Sequence, residues 1–389
     1  MIEGVLMKGI IYYLKKYGNK SFDELPFNEI DSLILAQISY LNIDVFAKNP
    51  NEKTYLKDVI KKKYKARLVY QTMVHKMNEK LVNVFPSTTR YDNVYFKHWT
   101  NDIKFDIANK SSDAKQFFAL TYFLDNFLFI AYRGTDLTIV GWEEDFNLTY
   151  ENEIPSQRDA VKYLNNMYDL YHRPLIVAGH SKGGNLATYA AAFCNKEVLD
   201  HIITIYSFDG PGFSNQNILH SAQFNDMKDK LITFSARISL VAIMLYHVDD
   251  IEFLNTRGFL FMQHAAFNWK IEEPNRLKRI KENSIESKIF GEIVDEVMKN
   301  INFSERKKFG KILFTLAKEN PKSNLVDIKR RPISYFKGIY ERKKTLSKAK
   351  RTFYNYILRK IRYSIKVVLR RRTGLKRHRM KTLKKDFRI

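Results

Sequence analysis

Residues 174–185 read Pro-Leu-Ile-Val-Ala-Gly-His-Ser-Lys-Gly-Gly-Asn. No other stretch of the chain limits its fold as tightly. The apolar run 175–178 has the length and branching of a buried strand, and the alanine-rich stretch 184–195 reads as a helix packed closely on it. Gly179-His180-Ser181-Lys182-Gly183 lies between them. The G-x-S-x-G spacing is weak as a pattern alone, but between a strand and a small-residue helix it is the context of a nucleophile elbow. The reason is steric. The serine sits on a strained turn that lifts its hydroxyl above the sheet, so the residues two before and two after must lack bulk. Gly179 and Gly183 supply that. The helix start also aims free N–H groups and a positive dipole end at the hydroxyl. The plainer alternative is a glycine-rich strand-to-helix turn without chemistry.

Around this segment the pattern alternates strand and helix. Strands are predicted at 202–208, 231–234 and 251–254, with a helix around 217–229. Upstream, 116–124 and 127–132 are aromatic apolar runs joined by Asp125-Asn126, which reads as a hairpin. The alternation implies a mostly parallel central sheet covered on both faces. Residues 1–90 read as a helical N-terminal region packed on a core at 91–270. Within it Phe27, Ile30, Leu33, Ile34 and Ile38 recur at helical spacing, with Asn28 or Asp31 as the cap. A polar helical extension follows at 271–340, then a basic tail at 341–389.

A serine of ordinary acidity needs a base and an acid to orient that base, in the chain order serine, acid, histidine for this fold. His201 opens a strand at the far edge, His220 falls in a predicted helix and His378 in the tail. His247 and His264 remain. His264 is favoured because it follows the last predicted strand, on a loop at the C-terminal edge of the sheet. Asp209 ends the 202–208 strand and enters Asp209-Gly210-Pro211-Gly212-Phe213, a sharp turn that would fix its carboxylate on the same edge. Asp249 and Asp250 compete with it. The backbone N–H of Lys182 is one expected oxyanion donor. Thr135, in Tyr132-Arg133-Gly134-Thr135-Asp136, is the other, with its hydroxyl as an extra donor. The reading calls for no cofactor and no metal. A lid, if present, would lie in 137–158 or 213–230.

These residues support a resemblance. Tyr132-Arg133-Gly134-Thr135 and Gly141-Trp142-Glu143-Glu144-Asp145-Phe146 resemble the Arg-Gly-Ser/Thr and Trp…Asp signatures of class 3 (fungal-type) lipases, with Lys182 where leucine is usual. More closely, the chain resembles a bacterial family of uncharacterised lipase-like α/β-hydrolases. That family carries Gly-His-Ser-Lys-Gly-Gly-Asn, Asp-Gly-Pro-Gly-Phe and a late Gln-His, matched here at 179–185, 209–213 and Gln263-His264. Pro26-Phe27-Asn28-Glu29-Ile30-Asp31 also looks like that family, so the likeness covers about residues 20 to 270. It implies an α/β-hydrolase fold and a serine hydrolase cleaving a carboxylic ester such as that of a lipid. The chain departs from class 3 lipases at the acid. Where they place Asp-x-Val it reads Ser239-Leu240-Val241, and Asp209 instead resembles the acid placement of pancreatic-type lipases.

Charge separates the tail from the body. Of a net charge of +24, residues 341–389 hold twenty Lys or Arg against Glu341 and Asp386. Phe353, Ile357, Ile361, Ile365 and Val368 form an apolar stripe among these bases, a basic amphipathic helix suited to an anionic membrane surface or to packing on the body. Nucleic acid fits less well, because no nucleic-acid module accompanies it. A single cysteine, Cys194, and the lack of a signal-like or spanning segment point to a cytoplasmic protein that can sit at the membrane periphery. Two other function classes stay open: an inactive hydrolase-fold binding module working through the tail, and peptidase or thioesterase chemistry on the same residues.

Overall fold

The computed structural model describes residues 8–69, 74–104, 114–136, 138–239, 241–242, 244–247, 250–258, 260–318, 338 and 341–386. The N-terminal part holds α1 (Ile10–Tyr17), α2 (Glu29–Ile38), a short β1 (Thr54–Tyr55), the single turns α3 (Leu56–Val59) and α4 (Lys65–Leu68), and α5 (His75–Val84). Asn28 starts α2 because its side chain accepts from the Ile30 and Asp31 N–H groups while Asp31 accepts from the Asn28 N–H. Such a reciprocal cap is worth about 1 kcal/mol. Asp31 is also paired with Arg90 at 2.6 Å, both fully buried, and receives the Tyr91 hydroxyl at 2.7 Å. That knot locks α2 against the start of the sheet.

The sheet begins at its edge with β1, followed by β2 (Tyr95–Lys104), β3 (Lys115–Phe123) and β4 (Leu128–Tyr132), each antiparallel to the one before. Then come α6 (Ile139–Asn147), α7 (Pro155–Tyr171), β5 (Leu175–His180), α8 (Lys182–Phe193), the short α9 (Lys196–Asp200), β6 (Ile202–Phe208), α10 (Ala222–Met227), β7 (Leu231–Ala236) and β8 (Ile251–Leu254). Strands β4 to β8 run parallel in sequence order. Their C-terminal ends therefore share one edge. The chain is a mixed α/β protein whose large sheet is parallel at its centre and antiparallel at its margins.

Each face of the sheet has its own core, and strand alternation assigns the residues. Phe118, Leu120 and Tyr122 of β3 face the layer built with α1, α2 and α5. Phe117, Ala119 and Phe123 face the layer built with α7 and α8. Burial on both sides explains why β3 to β5 read as continuous apolar runs.

Two expectations need correction. The predicted helix at 217–229 is only the six-residue α10 flanked by 3-10 turns, because Ser221 caps late and Leu231 already enters β7. The extension does not turn helical at once. It first forms β9 (Ile271–Glu272), paired with β10 (Arg276–Leu277), and β11 (Arg279–Ile280), which adds antiparallel to β8. Only then come α11 (Ile285–Asn300) and α12 (Phe303–Lys318). The tail forms one long helix, α13 (Lys348–Asp386), and of the two roles open to its apolar stripe it takes packing on the body. Ile357 and Val368 are buried, and Tyr354 and Ile357 join Ile301, Phe309, Ile312 and Leu316 in a cluster with α12. Among the described residues no helix is long and apolar enough to cross a membrane.

Candidate active site

Thr135, Ser181 and Asp209 follow the C-terminal ends of β4, β5 and β6, and His264 lies on a 3-10 turn after β8. Ser181 joins β5 to α8 with φ 58° and ψ −133°, a left-handed conformation that a side chain adopts only when its surroundings force it. The forcing is visible around it. A Cβ on Gly179 would lie 2.1 Å from the Gly183 carbonyl carbon, and one on Gly183 would lie 2.0 Å from the Tyr132 carbonyl oxygen. Strand and helix thus cross at backbone contact. The Ser181 N–H bonds to the Phe208 carbonyl at 2.9 Å, which ties the turn to the end of β6.

Asp209 follows β6, also at positive φ (54°), and is fully buried. One carboxylate oxygen accepts the Ala236 N–H at 3.0 Å and the other lies 2.6 Å from His264 Nδ1. A carboxylate can only accept there, so Nδ1 carries a proton, and in the neutral ring Nε2 is the acceptor. His264 itself ends a 3-10 turn, Leu260–His264, and keeps partial access to solvent. Among the described residues the Ser181 hydroxyl makes no hydrogen bond to His264, so the link between them is open in this conformation. Such links are commonly loose until substrate binds.

The other sequence candidates fall elsewhere. Asp250 is exposed, and Asp249 lies outside the described residues. His201 bonds to Tyr168 and the Glu197 carbonyl, at the opposite end of β6. His247 is enclosed near Gly212, and burial lowers its pKa to about 4. His220 is exposed in a turn. The side chain of His378 lies outside the described residues.

The Thr135 loop leaves β4 directly beside the elbow. A Cβ on Gly134 would come 2.2 Å from the Tyr40 hydroxyl and 3.0 Å from Ser181 Cβ. Lys182 is the first residue of α8, so its N–H has no acceptor within the helix. The Thr135 hydroxyl differs from expectation. It lies 2.6 Å from both carboxylate oxygens of Asp145 on α6, so its single proton is committed and only its backbone N–H is left as a donor.

The sequence profile described as Mbeg1-like matches residues 85–315, more than half of the chain. The chain belongs to the Mbeg1-like family. The match takes in every candidate site residue and leaves out α1, α2 and α13. No curated protein matches the chain. Among solved structures it is similar to a crystal structure of M37 lipase, at 14% identity over 55% of this chain and 68% of that one, with a TM-score of 0.34. It is also similar to the native propeptide complex of Rhizomucor miehei lipase, at 12% identity over 70% of this chain and 78% of that one, with a TM-score of 0.37. Both likenesses are distant.

In this Mbeg1-like chain the surroundings of the elbow hold several side chains whose parts the sequence does not reveal. His180 Nε2 lies 2.8 Å from the His264 carbonyl, so it donates there and pins the segment that carries His264. Burial lowers the His180 pKa to about 3, with His264 nearby adding to the effect, so it stays neutral and keeps that tautomer. The Tyr40 hydroxyl bonds to the His180 carbonyl at 3.0 Å and accepts the Gly134 N–H at 3.1 Å, which fastens the Thr135 loop to the elbow. Asn185 bonds to the Pro211 and Gly212 carbonyls and so holds the turn after Asp209. Gln263 accepts from Ile238 N–H at 3.0 Å and donates to the Gly258 carbonyl at 2.9 Å. His180, Asn185 and Gln263 thus brace the loops that carry the candidates.

The Lys182 ammonium is buried with its three donors spent on Glu144 Oε2 (2.7 Å), the Gln116 carbonyl (2.8 Å) and Gln116 Oε1 (3.0 Å). Glu144 accepts as well from the Ser156 hydroxyl at 2.6 Å and the Gln116 N–H at 3.0 Å. A signal for this pair exists in the sequence only as a lysine in an otherwise apolar position of the motif. No group of three or more His, Cys, Asp or Glu able to hold a metal occurs among the described residues.

Proposed function

We propose that the chain is a serine hydrolase of α/β-hydrolase fold that cleaves a carboxylic ester. One observation carries the reading. A serine held at positive φ between β5 and α8 shares the C-terminal sheet edge with a histidine whose Nδ1 is 2.6 Å from a buried aspartate. In the proposed reaction Ser181 attacks the ester carbonyl carbon while His264 Nε2 takes the hydroxyl proton. Asp209 holds the ring and stabilises its positive charge. The backbone N–H groups of Lys182 and Thr135 bind the oxyanion, each worth about a hundredfold or more in rate. His264 returns the proton to the departing alcohol, and water then releases the acid from Ser181 by the same steps in reverse order. The apolar acyl part is argued from Trp142 and Met262. These exposed large side chains stand on the segments that carry Asp145 and His264.

Hydrolysis of p-nitrophenyl esters of graded chain length, run beside a thioester and a peptide panel, tests the substrate class. Turnover of esters, lost in Ser181→Ala, supports the reading. Turnover confined to thioesters or peptides moves it to the corresponding class. The open Ser181–His264 link favours a second reading, a catalytically silent binding module, and folded protein without turnover on any panel would support that one.

A further inference from the structure

The packing of α13 sorts its side chains into two populations. Ile357, Ser364 and Val368 are buried against the body. On the flanks, Lys360 pairs with Glu305 at 2.8 Å, Arg371 with Glu296 at 3.0 Å and Arg372 with Glu292, so these bases serve internal contacts. What remains is a solvent face. Arg359, Tyr363, Lys366 and Arg370 are exposed at spacings of three and four, with Arg362 beside them and Tyr356 at the rim, its ring 4.8 Å from Lys360 Nζ. Among the described residues none of these four cations has a carboxylate partner. Tyr363 is 62% exposed, which is unusual for an aromatic ring with no role.

The face from Tyr356 to Arg370 runs about 21 Å along the helix. Its opposite side is fastened to α11 and α12, so the helix projects as one edge of a packed layer rather than as a free rod. A helix packed on two others can enter a nucleic-acid major groove, as the recognition helix of a homeodomain does, but no nucleic-acid-binding module accompanies this one. A plane suits it better. Anionic headgroups supply the missing counter-charges, and tyrosine prefers the boundary between headgroup and acyl chain. The apolar stripe is not what meets the membrane, because it is spent on α12.

We propose that the solvent face of α13 docks on an anionic lipid bilayer through Arg359, Arg362, Lys366 and Arg370, with Tyr356 and Tyr363 as interfacial anchors. The assignment does not depend on hydrolysis at Ser181. Each exposed base near an anionic surface strengthens partitioning by about fivefold at physiological salt.

Co-sedimentation of the full chain with vesicles of phosphatidylcholine alone, or of phosphatidylcholine and phosphatidylglycerol in equal parts, tests the proposal. Binding is expected to the second only, and to weaken as salt rises. Reversing all four cations (Arg359→Glu, Arg362→Glu, Lys366→Glu, Arg370→Glu) should lower it by about a hundredfold or more. These side chains hold nothing in the fold, so the variant should unfold at the same denaturant concentration as wild type. Tyr356→Ser with Tyr363→Ser should weaken binding several-fold and leave its salt dependence. A control with the same change in net charge, Lys15→Glu, Lys20→Glu, Lys62→Glu and Lys76→Glu, should keep most of the binding. The proposal is overturned if wild type ignores phosphatidylglycerol vesicles, or if the control loses as much as the α13 variant. It is equally overturned if α13-dependent binding is found for duplex nucleic acid and not for vesicles.

Discussion

Lys182 Nζ lies 2.7 Å from Glu144 Oε2 with both side chains shut away from water, 1% and 0% exposed. Lys182 follows Ser181 in the chain, and Glu144 precedes Asp145, which holds Thr135. The pair therefore ties the elbow to the helix behind the Thr135 loop. Removing one partner leaves an uncompensated charge in a dry site. Glu144→Gln is expected to cost about 3–5 kcal/mol in urea unfolding, and Lys182→Met a comparable amount. Combining Lys182→Met with Glu144→Gln should recover most of the loss, because both charges go and the glutamine oxygen still accepts from Ser156 and Gln116. Additive losses in the double variant would show that the two charges do not act as a pair.

His180 gives a prediction about positioning. Its ring holds the His264 carbonyl, so His180→Ala frees the segment that carries the proposed base. A displacement of about 1 Å there is worth about a hundredfold in rate. Reaction of Ser181 with a fluorophosphonate should slow by that order, and His180→Gln should recover part of it because its amide can still donate. Equal rates in all three proteins would confine His180 to packing.

Asp145 makes stability depend on pH. Burial is the largest cause of its shift, opposed by Lys182 and the Thr135 hydroxyl, and its pKa rises from 3.8 to about 6. Between those values the folded protein holds more protons than the unfolded chain, so this group's contribution falls as pH rises through the window. Asp145→Asn removes the dependence. The difference in Tm between variant and wild type should therefore move in the variant's favour from below about pH 4 to above about pH 7. A constant difference across that range would contradict the assignment.

Gly183→Ala reverses a familiar sign. Alanine normally stabilises a helix relative to glycine by about 1 kcal/mol. Here the added methyl would meet the Tyr132 carbonyl oxygen at 2.0 Å, backbone that cannot swing aside. The substitution should lower the unfolding midpoint clearly, whereas Gly310→Ala on α12, which meets the side chains of Phe146 and Tyr150 and no backbone, should cost less.

What was legible in the sequence follows from what local pattern can encode. The turn from β5 to α8 was readable because an apolar run, two bulk-free positions and a small-residue helix occur in twelve consecutive residues. Asp209 was readable because it ends a strand and enters a Gly-Pro turn. Chain order left His247 beside His264, and only the place after the last strand favoured His264, whose Nδ1 the packed chain sets 2.6 Å from Asp209. The Lys182–Glu144 pair was not readable, since 38 residues separate partners that meet only when α6 packs beside β3. The Thr135 hydroxyl was misassigned for the same reason: Asp145 competes for it from across a loop. The stripe on α13 was seen, but a helix facing a membrane and a helix facing α12 share one period, and only the packed chain separates them.

The central claim is an activated Ser181, and covalent labelling with a fluorophosphonate, read by intact mass, tests it most directly. The account predicts one adduct on wild type, none on Ser181→Ala, and labelling strongly slowed in both His264→Ala and Asp209→Asn. Folded wild type that takes no label, or a label that survives in Ser181→Ala, would contradict it.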